Sequence, residues 1–170
     1  GASAASSYEF RIYKNNGNGT FNPTQIEVDG VNGGFLMGNV VWGDYDNDGD
    51  LDILSNGVQY SGNLVLQIYN NNGNGTIDAA QITIDGANGG TSAGGLAWGD
   101  FNTDGDLDIL VSGGDSSYMN QLRSYQNNGN GTFDPNQIEI DGANGGLYSG
   151  SVAWGDYDKD GDPDVLVSGY

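Results

Sequence analysis

The segment WGDYDNDGDLDIL, residues 42–54, places five aspartates within nine residues. The same pattern returns as WGDFNTDGDLDIL at residues 98–110 and as WGDYDKDGDPDVL at residues 154–166. Carboxylates this close repel one another and raise each other's pKa unless a positive charge lies between them. Three copies in register therefore indicate turns built around a cation rather than solvated loops.

The acidity of the chain is concentrated in these turns. The 170 residues carry a net charge of −19, and 14 of the 23 acidic residues lie in the three segments. Without those 14 the formal charge would be −5, so a disordered acidic tail is not indicated. Three Trp, ten Tyr and five Phe also favour a folded domain. With only four Lys and Arg, the chain is a poor partner for nucleic acid or an anionic membrane. No apolar run is long enough for membrane insertion.

The composition also argues against most catalytic mechanisms. The sequence contains no Cys and no His, which excludes disulfides, thiol nucleophiles, and the usual general base and zinc ligand. No Ser or Lys stands beside an evident base. We therefore predict no catalytic residues and no enzyme activity.

The chain is a repeat with a period of 56 residues. Equivalent residues stand 56 positions apart without insertion, as in Tyr13, Tyr69 and Tyr125, and in Trp42, Trp98 and Trp154. Residues 8–170 are interpreted as a single segment of three repeats, and residues 1–7 as a linker or expression remnant. GASAASS at residues 1–7 has no basic region and no apolar core, so it is not a signal peptide. Such close copies indicate recent duplication or deliberate design.

Each period contains four short strand-like pieces. In the first period these are YEFRIYK (8–14), QIEVDG (25–30), GNVVWGD (38–44) and LDILSNG (51–57). NNGNGTF (15–21) suits a turn with positive φ, VNGGFLMG (31–38) is expected to be a loop, and helix signals are absent. A repeat of this size, rich in short strands, predicts an all-β chain of β-propeller blades, each with four antiparallel strands.

The aspartate turns read D-x-D-x-D-G-x-x-D. Positions 1, 3, 5 and 9 can converge, position 7 can offer its backbone carbonyl, and glycine at position 6 permits the bend. This many hard oxygen ligands suit Ca²⁺, whereas Mg²⁺ prefers a smaller octahedral shell. An EF-hand is disfavoured because position 12 is Ser55, Val111 or Val167 instead of Glu, and because a strand follows the loop. A dockerin-type loop is disfavoured because a helix would have to follow it.

Together with the preceding GNVV and the following SNG, the segment at residues 42–54 resembles an FG-GAP or VCBS repeat. Such repeats build the β-propellers of integrin α subunits and of many bacterial surface proteins. The resemblance extends from about Tyr8 to Tyr170, although the Gly-Ala-Pro element of the integrin repeat is missing. It implies an extracellular or cell-surface location, and an aspartate loop that joins the innermost strand A to strand B of each blade.

The resemblance also implies one Ca²⁺ per repeat, three per chain. The implied ligands are four side chains and one backbone carbonyl in each loop. They are Asp44, Asp46, Asp48 and Asp52 with the Asp50 carbonyl; Asp100, Asn102, Asp104 and Asp108 with the Asp106 carbonyl; and Asp156, Asp158, Asp160 and Asp164 with the Asp162 carbonyl.

Two functions remain open from the sequence. The first is a calcium-stabilised scaffold or adhesion module that binds an unidentified protein or glycan. The alternative is a lectin, because some fungal propeller lectins carry related repeats. The copies differ most at residues 35–37, 91–93 and 147–149, and at residues 58–60 against 114–116. Loops that vary on a constant frame are where binding would occur, although neutral drift also explains them. Trp42, Trp98 and Trp154 are expected to pack between blades; the alternative is a platform on which sugars stack. Tyr13, Tyr69 and Tyr125 are expected to serve strand packing.

In family strand order, the chain is expected not to close on itself. It begins with strands C (8–14) and D (25–29), continues with two full blades (38–85 and 94–141) and ends with strands A and B (151–169). Pairing residues 163–169 of one chain with residues 8–14 of the next would complete a blade. Typical rings hold four to eight blades. The chain is therefore predicted to form a homodimer with six blades and six calcium sites; the alternative is a homotrimer with nine blades.

Overall fold

The structure, a computed structural model, describes residues 8–30, 33–86, 90–141 and 146–170. The expected linker at residues 1–7 lies outside this range. The described residues form β-strands and turns without any helix, so they include no helix that could cross a membrane. The all-β prediction is confirmed.

The strands of the described residues are short, and most follow the four-strand pattern of the repeat. They are β1 (Arg11–Ile12), β2 (Ile26–Glu27), β3 (Phe35–Gly43), β4 (Asp52–Gln59), β5 (Leu64–Tyr69), β6 (Ile82–Thr83), β7 (Leu96–Gly99), β8 (Asp108–Gly114), β9 (Asn120–Tyr125), β10 (Ile138–Glu139), β11 (Ser151–Gly155) and β12 (Asp164–Ser168).

The strands assemble into two complete sheets and two half-sheets. β3-β4-β5-β6 and β7-β8-β9-β10 each form a four-stranded antiparallel sheet, whereas β1–β2 and β11–β12 are separate antiparallel pairs. This is the predicted order of a C–D pair, two full blades and an A–B pair. The sheets formed by the described residues do not close into a ring.

Register is conserved between the two complete sheets. Ile53 lies opposite Tyr69 in the first sheet, and Ile109 lies opposite Tyr125 in the second. Ile109 and Tyr125 each stand 56 positions after their counterparts in the first sheet. The sequence period is therefore also a structural period, and a contact seen in one sheet can be transferred to the next.

Successive residues of β4 point to opposite faces of the first complete sheet, and each face meets a different neighbouring sheet. Ile53 packs with Phe10, Val28 and Tyr69 between the β1–β2 pair and the first complete sheet. The next residue, Leu54, belongs to a cluster that fills the space between the two complete sheets. That cluster contains Tyr45, Leu54, Leu66, Ile68, Ile84, Leu96, Ile109, Val111 and Tyr125.

Aromatic packing between blades is confirmed for two of the three tryptophans. Trp98 stacks on Tyr45 with ring centroids 6.5 Å apart, and Trp154 stacks on Phe101 at 6.0 Å. Trp42 instead leaves half of its surface exposed. It lies on β3, on the side of the first complete sheet where the described chain provides no A–B pair.

The loop expected at residues 31–38 is shorter than predicted. β3 begins at Phe35, and Phe35 and Leu36 pair with Gln59 and Val58 before a bulge that ends at Asn39. Large apolar side chains at residues 35 and 36 allow this pairing to extend. In the second sheet the equivalent segment is Thr91-Ser92-Ala93, and only an isolated bridge between Ser92 and Gly114 forms. Residues 31 and 32 lie outside the described range.

Candidate metal centre

Each aspartate loop joins the first two strands of a sheet. The first runs from Gly43, at the end of β3, to Asp52, at the start of β4; the others join β7 to β8 and β11 to β12. The bend depends on glycine at position 6, with φ of 94° at Gly49, 94° at Gly105 and 99° at Gly161. Because only glycine adopts such angles freely, the sequence dictates this turn.

Backbone amides inside the loop orient its carboxylates. In the first copy, Asp44 accepts hydrogen bonds from the amides of Asp48 (3.1 Å) and Gly49 (3.0 Å). The Asp48 carboxylate accepts one from the amide of Asp50 at 2.9 Å. The second copy repeats this pattern at Asp100 and Asp104. These bonds fix the orientation of the carboxylates within the loop, where Asp46 and Asp48 remain exposed to solvent.

The loops bring acidic oxygens close enough to share one cation. Single carboxylate oxygens of Asp44, Asp46 and Asp48 lie within 4.8 Å of one another. In the third loop the equivalent group contains Asp156, Asp158 and Asp164. The second loop has the neutral Asn102 at position 3, whose amide nitrogen donates to Asp104 at 2.8 Å. All of these donors are hard oxygens or can present one, which fits Ca²⁺.

The last aspartate of the first two loops is a buried anchor. Asp52 accepts hydrogen bonds from the amides of Tyr45 (3.3 Å) and Asn71 (2.8 Å). Asp108 accepts the equivalent bonds from Phe101 (3.1 Å) and Asn127 (2.7 Å). Burial raises the pKa of each carboxyl to about 6, although these bonds favour the ionised form. The third member, Asp164, is exposed and bonds to the amide of Tyr157 at 2.8 Å.

The loop aspartates concentrate negative charge that no described ion pair neutralises. Burial and the neighbouring Asp48 raise the pKa of Asp46, and burial with nearby aspartates raises the pKa of Tyr45 to about 12. Among the described residues, the ion pairs join Arg11 and Arg123 to glutamates and include no loop aspartate. A bound cation would offset this charge, so the residues present fit the implied ion.

The aspartates at position 7 direct their side chains away from the carboxylate groups. The Asp50 carboxylate contacts Gly73, and the Asp106 carboxylate contacts Gly129. Asp106 also accepts a 2.8 Å hydrogen bond from the side-chain amide of Asn47 in the preceding loop. This placement is compatible with a carbonyl ligand at position 7. In the third loop, Asp160 accepts a bond from the amide of Asp162 at 2.9 Å.

Sequence reasoning missed the contribution of the first asparagine in the turns at residues 71–77 and 127–133. The backbone amides of Asn71 and Asn127 bind the buried anchors, and their side-chain amides donate to the carbonyls of Leu51 (3.1 Å) and Leu107 (3.2 Å). These turns therefore lie beside the metal loops, at the same end of each sheet, and support them there. The 56-residue recurrence of Asn15, Asn71 and Asn127 was the available signal.

Comparison with known families agrees with this architecture. The model of the FG-GAP-like repeat matches three times, at residues 2–55, 57–111 and 110–167. The chain belongs to the FG-GAP-like repeat family. Repeats of this family form β-propeller modules, are typical of extracellular or surface proteins, often bind calcium and are generally non-catalytic. No curated protein showed a significant match.

Proposed function

We propose that this FG-GAP-like chain is a calcium-stabilised β-propeller scaffold that serves as a binding or adhesion module and performs no catalysis. The observation that carries the proposal is the convergence of Asp44, Asp46 and Asp48 at the junction of the first two strands. No loop aspartate has a cationic partner among the described ion pairs. The loop recurs with every repeat, as a structural ion site would.

The position of the loop explains how an ion would stabilise the blade. Asp44 follows the end of β3 and Asp52 begins β4, so ligands on both fix the connection between the two strands. A bound Ca²⁺ supplies two positive charges where the chain has concentrated its negative charge. Three ions would change the charge of the 14 loop aspartates from −14 to −8. Binding to the folded state alone stabilises that state by mass action.

A groove between the two complete sheets is the candidate binding surface. It has a volume of about 850 Å³ and is lined by residues that differ between the repeats, among them Met37, Val58, Ser92, Asp115 and Tyr148. Variable side chains gathered on a constant frame support a role in recognition. No described feature favours a glycan over a protein ligand, so the lectin alternative gains no support.

The half-sheets at the two ends support assembly into a ring of several copies. Two-stranded pieces are marginal alone, and their unpaired edges invite partners. Two copies would supply six blades at about 60° each, within the range of typical rings; three copies would supply nine at about 40°. The proposed assembly is the homodimer with six calcium sites.

Calorimetric titration of metal-free protein with Ca²⁺ tests the central proposal. We expect three sites per chain, with weaker binding or none for Mg²⁺. A variant with Asp44, Asp46 and Asp48 replaced by Asn should lose one site and keep two. Absence of calcium binding at millimolar concentration would refute the proposal.

A further inference from the structure

Equivalent residues of the three repeats are buried in the middle of the chain and exposed at its two ends. Leu54 and Leu110 have no exposed surface, whereas Leu166 is 71% exposed. Tyr69 and Tyr125 are fully buried, whereas Tyr13 is 50% exposed. Each buried copy is covered by the adjacent sheet or the adjacent strand. The exposed copies therefore mark surfaces built for the same neighbours.

Two complementary surfaces follow from this difference. The leading surface consists of β1, Val40 and Trp42, and lines a groove of about 200 Å³ that also includes Phe10 and Ile53. The trailing surface consists of Gly155, Tyr157 and β12, and lines a groove of about 460 Å³. In the complete sheets, the elements equivalent to these two surfaces pack against each other.

We infer that the trailing surface of one chain binds the leading surface of a second copy. Each such joint between two chains would contain one shared blade and one interface between neighbouring blades. This inference specifies the interface of the proposed ring and rests on that proposal. The occupant is a second copy because the chain itself shows both halves of the contact in the correct order.

The shared sheet has a defined register. Ile53 lies opposite Tyr69 and Ile109 lies opposite Tyr125 in the complete sheets. A further shift of 56 residues places Val165 opposite Tyr13 of the second copy and Leu166 opposite its Ile12. Leu54 packs with Leu66, Ile68 and Ile84. Leu166 would meet their counterparts in the second copy: Phe10, Ile12 and Val28.

A tryptophan and a glycine form the central contact between blades. Trp98 packs directly against Gly43, and Trp154 packs against Gly99, with no room for a Cβ atom on either glycine. Gly155 is the next glycine in the series, and a Cβ atom on it would meet nothing within 4 Å. The matching residue is Trp42 of the second copy. Gly155 is therefore an open notch that fits this half-exposed indole.

Polar side chains of the trailing and leading surfaces also continue contacts seen within the chain. Tyr125 donates to Asp85 at 3.2 Å and Tyr69 to Asp29 at 3.0 Å; the next pair is Tyr13 of the second copy with Asp141. Asn47 donates to Asp106 between adjacent metal loops. At the joint between chains these positions are Lys159 and Asp50, so a hydrogen bond becomes an ion pair. This ion pair fits a head-to-tail arrangement.

The third metal loop is incomplete without the second copy. Asp52 and Asp108 are each held by two backbone amides, the second from the asparagine turn of the same sheet. The third anchor, Asp164, would receive its second amide from Asn15 of the second copy. Assembly would bury this carboxylate and complete the loop that holds Asp156 and Asp158.

The decisive variant is Gly155→Val, compared with wild type by light scattering of calcium-loaded protein. Because the notch is empty in one chain, valine leaves the fold of that chain intact but blocks Trp42 of the second copy. We expect wild type to show the mass of two chains and the variant the mass of one, with an unchanged far-UV spectrum. Met119→Asn is the control: it gives an exposed position its first-repeat residue, Asn63, and should keep the wild-type mass.

Mixing two variants tests the head-to-tail geometry. Gly155→Val damages the trailing surface and Trp42→Ala the leading surface, so each alone should be monomeric. One intact joint remains when they are mixed, and a one-to-one pair should form. Two chains in Gly155→Val would overturn the inferred interface while leaving the ring and calcium binding standing. A wild-type monomer would overturn the ring itself; calcium titration reports on the metal sites in either case. A wild-type trimer that Gly155→Val dissociates would support the interface.

Discussion

The side-chain amide of Asn127 donates a 2.8 Å hydrogen bond to the backbone carbonyl of Tyr45, 82 residues earlier in the chain. The two residues lie in loops of different sheets, and both are buried. Asn127 also accepts a bond from the amide of Gly129 at 3.0 Å. One side chain thereby connects the asparagine turn of the second sheet to the metal loop of the first.

Replacing Asn127 with Ala should destabilise the fold. Removing a buried side chain that satisfies backbone groups leaves carbonyls unpaired, at a cost of about 2 kcal/mol. Denaturant unfolding of calcium-loaded protein measures this loss. Asn128→Ala is the control, because Asn128 is exposed and bonds locally to Thr132; it should change stability little. Equal losses in both variants would contradict a specific role for the Asn127 contact.

Calcium removal should lower the melting temperature. Without calcium, the acidic groups of each loop repel one another, and the folded state loses the mass-action stabilisation of three bound ions. Melting curves of loaded protein with and without excess chelator measure the effect. An unchanged curve, starting from demonstrably loaded protein, would count against calcium stabilisation.

The second site should be the weakest if ligand charge dominates affinity. Asn102 supplies a neutral oxygen where the other loops have Asp46 and Asp158. Asn102→Asp should therefore increase calcium affinity at this site, and the matched Asp46→Asn should reduce it at the first. Calorimetric titration of the two variants provides the comparison. A second site that already binds as tightly as the first would show that loop geometry outweighs charge.

Stability should depend on pH in opposite directions with and without calcium. In the calcium-free fold the pKa of Asp52 and of Asp108 is about 6, above the ordinary value of 3.8. The folded chain then binds protons more tightly than the unfolded chain. The resulting stabilisation is complete below about pH 4 and is lost as pH rises through 6. With calcium bound, the ligands stay ionised, and protonation competes with the ion.

Melting temperatures at pH 5 and pH 7.5 test this sign. The calcium-free protein should melt higher at pH 5, and the loaded protein higher at pH 7.5. In calcium-free protein, the double variant Asp52→Asn and Asp108→Asn should flatten the dependence. A calcium-free protein that loses stability on acidification from pH 7.5 to 5 would contradict the assignment.

Valine at the three notch glycines should give different outcomes. Gly43→Val and Gly99→Val place a side chain against Trp98 and Trp154 within one chain. Such overpacking costs about 1–3 kcal/mol. Gly155→Val meets no atom of its own chain, so its unfolding free energy per monomer should change little. Denaturant curves on dilute protein would separate the cases; a large loss for Gly155→Val would place a neighbour at this notch within the same chain.

The architecture was predictable because three copies share a single period. Strand order, the position of each aspartate loop and the half-sheets at both ends follow from aligning Trp42, Trp98 and Trp154. Strand lengths were less accessible. QIEVDG predicts a full strand, yet only Ile26 and Glu27 pair. The equivalent strands β6 and β10 are also two residues long although they lie beside six-residue strands, so the short pairing belongs to the outer position in every copy. At Phe35 the apolar side chains extend β3 beyond the expected loop.

Within the candidate site, the sequence indicated the donors but not their supports. The spacing of Asp44, Asp46 and Asp48 predicts convergence, and their oxygens do approach one another. Nothing in that spacing shows that Asp52 is also tied to the amide of Asn71, 19 residues later. That bond depends on how β5 returns beside β4, which is a property of the whole sheet.

The variable groove beside Met37 and Tyr148 has a consequence for avidity. Rotation about the axis of a closed ring would carry every inter-blade groove to the same face. Two copies would then present each distinct groove twice, on opposite sides of the axis. A ligand displayed repeatedly on a surface could engage both, so that its second contact forms at a high effective concentration. Tight attachment would then need only weak individual sites, and it would disappear when the two chains separate.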